Sequence, residues 1–162
     1  MNIIEYINNS TIPCKIAITG GRHVGKTTAL LDIYKQAAAN QLDIAGFVEM
    51  AVFDGDERTG YQFVDICTKE CCEVAKRRHP HGYEFYDAAW QWAEQKLRAS
   101  ETHDILMIDE LGRLEADNRG LMPALCASMT RRPRHLIAAI RGDALESIVS
   151  WLGGFDRIFR IE

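Results

Sequence analysis

Gly20-Gly21-Arg22-His23-Val24-Gly25-Lys26-Thr27 fits the pattern G-x-x-x-x-G-K-[ST], whose chemistry is the wrapping of a phosphate chain. Glycines let the backbone approach an anion closely, with successive N–H groups pointing inward. The start of a following helix adds unpaired donors and a favourable dipole. Lys26 then carries a mobile positive charge to the β- and γ-phosphates of a nucleoside triphosphate, while the Thr27 hydroxyl is suited to ligate Mg2+. Thr28 follows within reach of the α-phosphate. A turn that merely starts a helix has no need of Lys and Thr at these positions.

A second reactive group follows the apolar run Ile105-Leu106-Met107-Ile108, which leads straight into Asp109-Glu110. A buried strand ending in a carboxylate, next to the phosphate strand, puts negative charge beside the metal held by Thr27. Asp109 is expected there as an ionised acceptor, for Thr27 or for water around the ion. Glu110 is expected to point across the cleft, where a carboxylate orients a water toward the γ-phosphate and takes its proton. Its plainer role is an ionised cleft rim, or a partner for Arg113, Arg141 or another cation. Arg141 directly follows the apolar run His135 to Ile140, at the ligand-facing end of a sheet. It is a candidate for stabilising phosphate charge, or for a surface ion pair.

These residues need a scaffold, and the hydrophobic pattern supplies one. Lys15 to Thr19 reads as a buried strand halted by Gly20-Gly21. Ala29, Leu30, Ile33, Tyr34 and Ala37 recur at helical spacing, which predicts a helix over 26–39. Strands are expected over 43–51 and 61–67, joined by a polar Asp/Gly loop, with irregular structure over 69–83. A helix over 85–99 follows, with Phe85 and Trp92 on its apolar stripe. Beyond the 105–108 strand, Asp117 or Asn118 is expected to cap a helix to Met129, and Asp143 a short helix through Ser150. Residues 135–140 and 155–161 complete the strands. Residues 1–13 fit either one helical turn or an edge strand. The order points to an α/β fold, a mostly parallel sheet with helices on both faces.

The chain has 162 residues, 47% of them hydrophobic and 26% charged, with a net charge of -4. That balance excludes wholesale disorder and disfavours a nucleic-acid partner on charge grounds. The basic clusters Lys76-Arg77-Arg78 and Arg131-Arg132-Pro133-Arg134 read as solvated surface. No apolar run reaches the roughly 20 residues of a membrane span, so no membrane partner is expected. No basic segment precedes a long apolar run at the N-terminus, so the five cysteines read as free thiols of a cytoplasmic protein. Cys67, Cys71 and Cys72 near His79 and His81 lack the spacing of a zinc site.

Four segments carry a family resemblance: ITGGRHVGKTT, Gly46-Phe47-Val48-Glu49, Arg58-Thr59-Gly60-Tyr61 and Ile108-Asp109-Glu110-Leu111-Gly112-Arg113-Leu114-Glu115. Together the chain resembles the THEP1-type nucleoside-triphosphatases over most of residues 15–141. The resemblance implies a three-layer P-loop NTPase fold with a RecA-like sheet, as a single nucleotide-binding domain over 1–162. It implies Mg2+ as cofactor and hydrolysis of ATP, GTP and other triphosphates with loose base preference. Under it Glu110 is the catalytic acid; Lys26 and Arg141 stay catalytic candidates, and Thr27 and Asp109 metal-holding ones, on the residue chemistry above. Gly20, Gly21, Arg22, His23, Val24, Gly25, Lys26, Thr27 and Thr28 form the nucleotide-binding set. Arg58 contacts phosphate or braces the loop, since an arginine fork suits either task. Glu115 holds the 112–116 turn through backbone N–H groups. Family members that continue past the position of Glu162 use the extra segment to frame the base, which leaves that pocket open here or supplied by a protein partner or oligomer. Phosphoryl transfer to a small molecule, with Glu49 and the 69–83 segment forming an acceptor site and lid, and a nucleotide-gated adaptor are the alternative functions.

Overall fold

The computed structural model describes residues 2–162. The strands are β1 (Lys15–Gly20), β2 (Ile44–Asp54), β3 (Glu57–Asp65), β4 (Cys71–Arg77), β5 (Tyr83–Phe85), β6 (Ile105–Leu111), β7 (His135–Arg141) and β8 (Arg157–Ile161). Among the described residues they form one sheet in the order β5-β4-β3-β2-β6-β7-β1-β8. The five strands β2, β6, β7, β1 and β8 run parallel, and β3 to β5 extend that core as an antiparallel arm.

The helices are α1 (Ile3–Asn8), α2 (Lys26–Ala39), α3 (Asp87–Ala99), α4 (Arg113–Ala116), α5 (Met122–Arg131) and α6 (Leu145–Leu152). Leu30, Ile33 and Ala37 of α2 pack with Ile4 and Ile7 of α1 on one face of the sheet, against Ile16, Ile18, Met107 and Ile137. Ala93 and Leu97 of α3, Leu125 of α5 and Ile148 of α6 cover the other face, against Ala17, Ile108, Leu136 and Ala138. The alternation within β1, β6 and β7 feeds both layers, so these strands are apolar on both faces. Each fully buried Leu or Ile contributes about 1.5–3 kcal/mol, and this sandwich fixes the strand ends that carry the polar groups. Among the described residues, no helix is long and apolar enough to cross a membrane.

Several expectations need correction. The strand carrying Asp109 does not lie next to β1: β7 sits between them, in register with both. Helix α2 and the loop before it reach across that gap. The stretch 69–83 is ordered as β4, a turn and β5, whereas irregular structure was expected. Its strand pattern is weak because β4 lies in the arm with only Val74 and Ala75 buried. The Asp/Gly loop shrinks to a two-residue turn, Gly55-Asp56, with Asp54 paired to Glu57 and Gly55 at φ 60°. Phe85 belongs to β5 and is 57% exposed, so it is not on the helix stripe. Asp117 ends α4 and does not cap the next helix, which starts at Met122 with Pro123 in its first turn. Asp143 lies in a 3-10 turn before α6 and is committed to arginines, so it caps nothing. Residues 3–8 settle as a helical turn capped by the Asn2 side chain.

Candidate active site

The phosphate loop links β1 to α2, and its two outer glycines are each demanded by geometry. At Gly20 a Cβ would sit 2.5 Å from the Ile161 carbonyl oxygen and 2.8 Å from Val24 Cγ2. Gly25 caps α2 at φ 97°, a conformation L-residues rarely adopt. His23 also has positive φ, 58°. Arg22 and His23 line the cleft in front of the loop, Thr28 faces solvent on the first turn of α2, and Val24 packs toward Gly20 and Gly21.

Lys26 is buried, 4% exposed, and its Nζ donates to the Gly21 carbonyl at 2.5 Å. The same Nζ lies 3.8 Å from Glu110 Oε2. The arginines expected as partners of Glu110 are engaged elsewhere: Arg141 Nη2 binds Asp143 Oδ2 at 2.7 Å, and Arg113 Nε reaches the same oxygen at 3.3 Å. Arg141 still lines the cleft, as an arginine already paired to Asp143.

Asp109 is fully buried at the point where β6 passes over α2. Its Oδ2 accepts from the Thr27 hydroxyl at 2.6 Å, and its Oδ1 is buried with no hydrogen-bond partner. An orphaned carboxylate oxygen beside a hydroxyl, inside a loop of amides, fits a hard cation that takes oxygen ligands and keeps several waters, as Mg2+ does. Burial pushes the Asp109 carboxyl up to about 7, with Glu110 adding to the rise and Thr27 and Lys26 opposing it. The Asp109–Glu110 peptide bond is cis.

Glu115 binds the Gly112 N–H through Oε2 at 2.9 Å and the Leu121 N–H through Oε1 at 3.0 Å. This is the turn-holding role the resemblance implied. The carboxylate fastens the segment after Glu110 to the start of α5, so the end of β6 is held from behind.

Two further side chains line the cleft, one from β2 and one from the arm. Glu49 is half-buried on β2, and its carboxyl is raised to about 8 by burial, then by Asp109, Glu110 and Glu115. Arg58 on β3 lies between the rings of Phe53 and Tyr61, each centroid 5.6 Å from Cζ. Its Nη1 donates to the Tyr61 hydroxyl at 3.1 Å and approaches His23 Nε2 at 3.5 Å, which ties the arm to the phosphate loop. The resulting cleft encloses about 490 Å³ between Arg22, His23, Glu49, Arg58, Glu110 and Arg141. The 69–83 segment was expected at the site as an irregular acceptor loop and lid; the structure instead puts Tyr83 and Phe85 of β5 in the cleft wall, and the Tyr83-x-Phe85 alternation after the His-Pro-His-Gly turn was the signal for that strand.

No group of three or more His, Cys, Asp or Glu side chains suited to a metal occurs among the described residues. Cys67 donates to the Ile44 carbonyl at 3.2 Å from the turn after β3, beyond the strand in which it was expected.

The buried acids give the protein a pH signature. In the folded chain Glu49 and Asp109 keep their protons well above the pH at which the unfolded chain releases them, near 4 to 4.5. The stability this confers is full below that range and is lost as pH rises through 7 to 8, by up to about 1.4 kcal/mol per pH unit for each group. His135, held neutral by burial, works in the opposite direction. The comparison with Glu49→Gln isolates the carboxyl. The melting-temperature difference between Glu49→Gln and the parent, measured without nucleotide, is expected to grow in the variant's favour from pH 5 to 8. A difference that does not vary with pH would show that Glu49 titrates normally.

Comparison with known proteins places this geometry in a family. A family model described as NTPase matches residues 15–155. The nucleoside-triphosphatase THEP1 of Saccharolobus solfataricus is 34% identical over 107 residues, covering 62% of this chain and 61% of the relative. That of Methanocaldococcus jannaschii is 29% identical over 113 residues, covering 65% of each. The chain thus spans less than two thirds of the length of these relatives. Two solved structures share the fold: a human cancer-related nucleoside triphosphatase (TM-score 0.73, 19% identity, 92% of this chain and 89% of that one) and THEP1 of Aquifex aeolicus (TM-score 0.63, 20% identity, 91% and 89%). With the family model running from the first residue of β1 almost to β8, the chain belongs to the THEP1-type nucleoside-triphosphatase family.

Proposed function

We propose that the chain is one nucleotide-binding domain that hydrolyses the terminal phosphate of ATP, GTP and other nucleoside triphosphates with Mg2+. The reading rests on one juxtaposition. The 2.6 Å bond from Thr27 to Asp109 and the 3.8 Å approach of Lys26 to Glu110 bring the phosphate loop and the acid pair to the same point.

Loop amides between Gly20 and Thr27 bind the phosphate chain, and Lys26 Nζ neutralises charge on its β- and γ-oxygens. Thr27 and Asp109 would hold Mg2+, which supplies charge neutralisation across the β- and γ-phosphates when bound. Glu110 orients a water on the far side of the γ-phosphorus and accepts its proton as the bond to the leaving diphosphate breaks. Arg58 reaches the terminal phosphate from the arm; Arg141, tied to Asp143, sets the potential at the cleft edge. No base reader contributes to this scheme, so activity across bases is expected to be similar.

Product analysis with ATP, GTP, CTP and UTP, with and without Mg2+, tests the reading. Orthophosphate and nucleoside diphosphate are expected from all four, and only with the metal. Equal turnover in excess EDTA, or release of pyrophosphate, would overturn it.

A further inference from the structure

Hydrolysis needs room for the terminal phosphate and one water, whereas the open cleft in front of the loop has a volume of about 490 Å³. That volume falls within the roughly 300–1,000 Å³ of small-molecule sites. Its chemistry also exceeds what a water requires. Beyond Glu110 and Arg58 the wall turns aromatic, built from Tyr61, Tyr83, Phe85 and Trp90. Tyr61 and Tyr83 stand 5.2 Å apart, and Trp90 meets Phe63 edge-on at 6.0 Å. Phe85 remains 57% exposed at the rim, without a place in either core layer.

Two polar groups face the same space. Arg58 forms an ion pair with no carboxylate among the described residues, and its Nε is buried without a partner. It is nonetheless held by the Tyr61 hydroxyl and by the rings of Phe53 and Tyr61. Glu49 of β2 lines the same cleft as Arg58 and Glu110. Aromatic faces bind planar rings, a carboxyl accepts from or donates to hydroxyls, and an unpaired guanidinium takes an oxygen-rich group.

We propose that this chamber binds a second organic substrate, a hydroxylated planar heteroaromatic compound of about nucleoside size, whose hydroxyl accepts the γ-phosphoryl group. The proposal rests on the reading that a triphosphate occupies the 20–27 loop with its terminal phosphate at Glu110. In the transfer the acceptor oxygen bonds to the γ-phosphorus and the bond to the β,γ-bridging oxygen breaks. The nucleoside diphosphate leaves with that electron pair, and the hydroxyl proton passes to the Glu110 carboxylate. Glu49 orients the hydroxyl-bearing group, and the rings of Phe85 and Trp90 exclude the competing water.

The test offers the full chain Mg2+-ATP together with adenosine, guanosine, cytidine, uridine, pyridoxine or riboflavin in turn. Products are read by 31P NMR and mass spectrometry. At least one probe is expected to gain a phosphate monoester while orthophosphate release falls in proportion. Phe85→Ala is expected to raise the KM of that probe at least fivefold and the KM of ATP by less than twofold. Trp90→Phe supplies the same readout if Phe85→Ala fails to fold. Orthophosphate without any phosphorylated probe overturns the proposal and leaves the hydrolase reading intact. Competition between probe and ATP assigns the chamber to the nucleotide's own base and also overturns it. A protein that neither binds nor cleaves ATP overturns both readings.

Discussion

Lys26→Ala is expected to lower kcat/KM for ATP by at least a thousandfold, about 4 kcal/mol of transition-state stabilisation, and to weaken ATP binding at least tenfold. The size follows from where the ammonium sits. It is 4% exposed, so its attraction for phosphate oxygens acts with little water to screen it. Its contacts with the Gly21 carbonyl and Glu110 Oε2 hold it across the mouth of the loop. Lys26→Arg is expected to rescue little, because a planar fork cannot take the place of a compact charge inside a loop closed by the backbone of Gly21. Circular dichroism and the melting temperature check that the variant is folded. Turnover within tenfold of the parent in a folded Lys26→Ala protein would remove the phosphate assignment of this loop.

How much of this was legible in the sequence depended on whether local rules or long-range contacts fix each feature. Helix α2 is bounded as expected, at 26 and 39, because a left-handed glycine starts it and a continuous apolar stripe sustains it. The approach of Thr27 to Asp109 was also legible, since both follow short buried strands. The order of those strands was not. Apolar runs of similar length specify burial but not neighbours, and β7 takes the place beside β1 that β6 was expected to occupy. The arm failed for a different reason: β4 buries only two residues, so its alternation is nearly silent, and its position follows from pairing with β3. Helix α5 was started too early because Asp117 and Asn118 look like caps, whereas Glu115 satisfies the backbone of that turn from within.

The ion pairs show the same division. Arg113 follows Glu110 by three residues and Arg141 ends the neighbouring strand, yet the cationic neighbour of Glu110 at 3.8 Å is Lys26. Asp143 draws both Arg113 and Arg141, because the 3-10 turn after β7 places its carboxylate between them. A carboxylate two residues from one arginine outcompetes a more distant one, and that leaves Glu110 beside Lys26, without an arginine partner.

That freedom makes Glu110→Gln the sharpest test of the chemistry. The substitution keeps shape and hydrogen-bonding capacity and removes the ability to accept a proton. ATP binding is expected to stay the same or tighten up to threefold, because a negative charge 3.8 Å from Lys26 no longer competes with phosphate for that ammonium. Turnover is expected to fall by at least a hundredfold, about 2.7 kcal/mol, since the water must then lose its proton to solvent. Equilibrium binding of ATP in the variant separates the two effects from a general collapse of the site. The loss is expected in kcat with KM unchanged or lower, which is the pattern of an interaction made only in the transition state. Hydrolysis at the parent rate would assign Glu110 to charge balance with Lys26 and send the search for a base to Glu49, a carboxyl that also lines the cleft and, unlike Glu115, is not bound to backbone N–H groups.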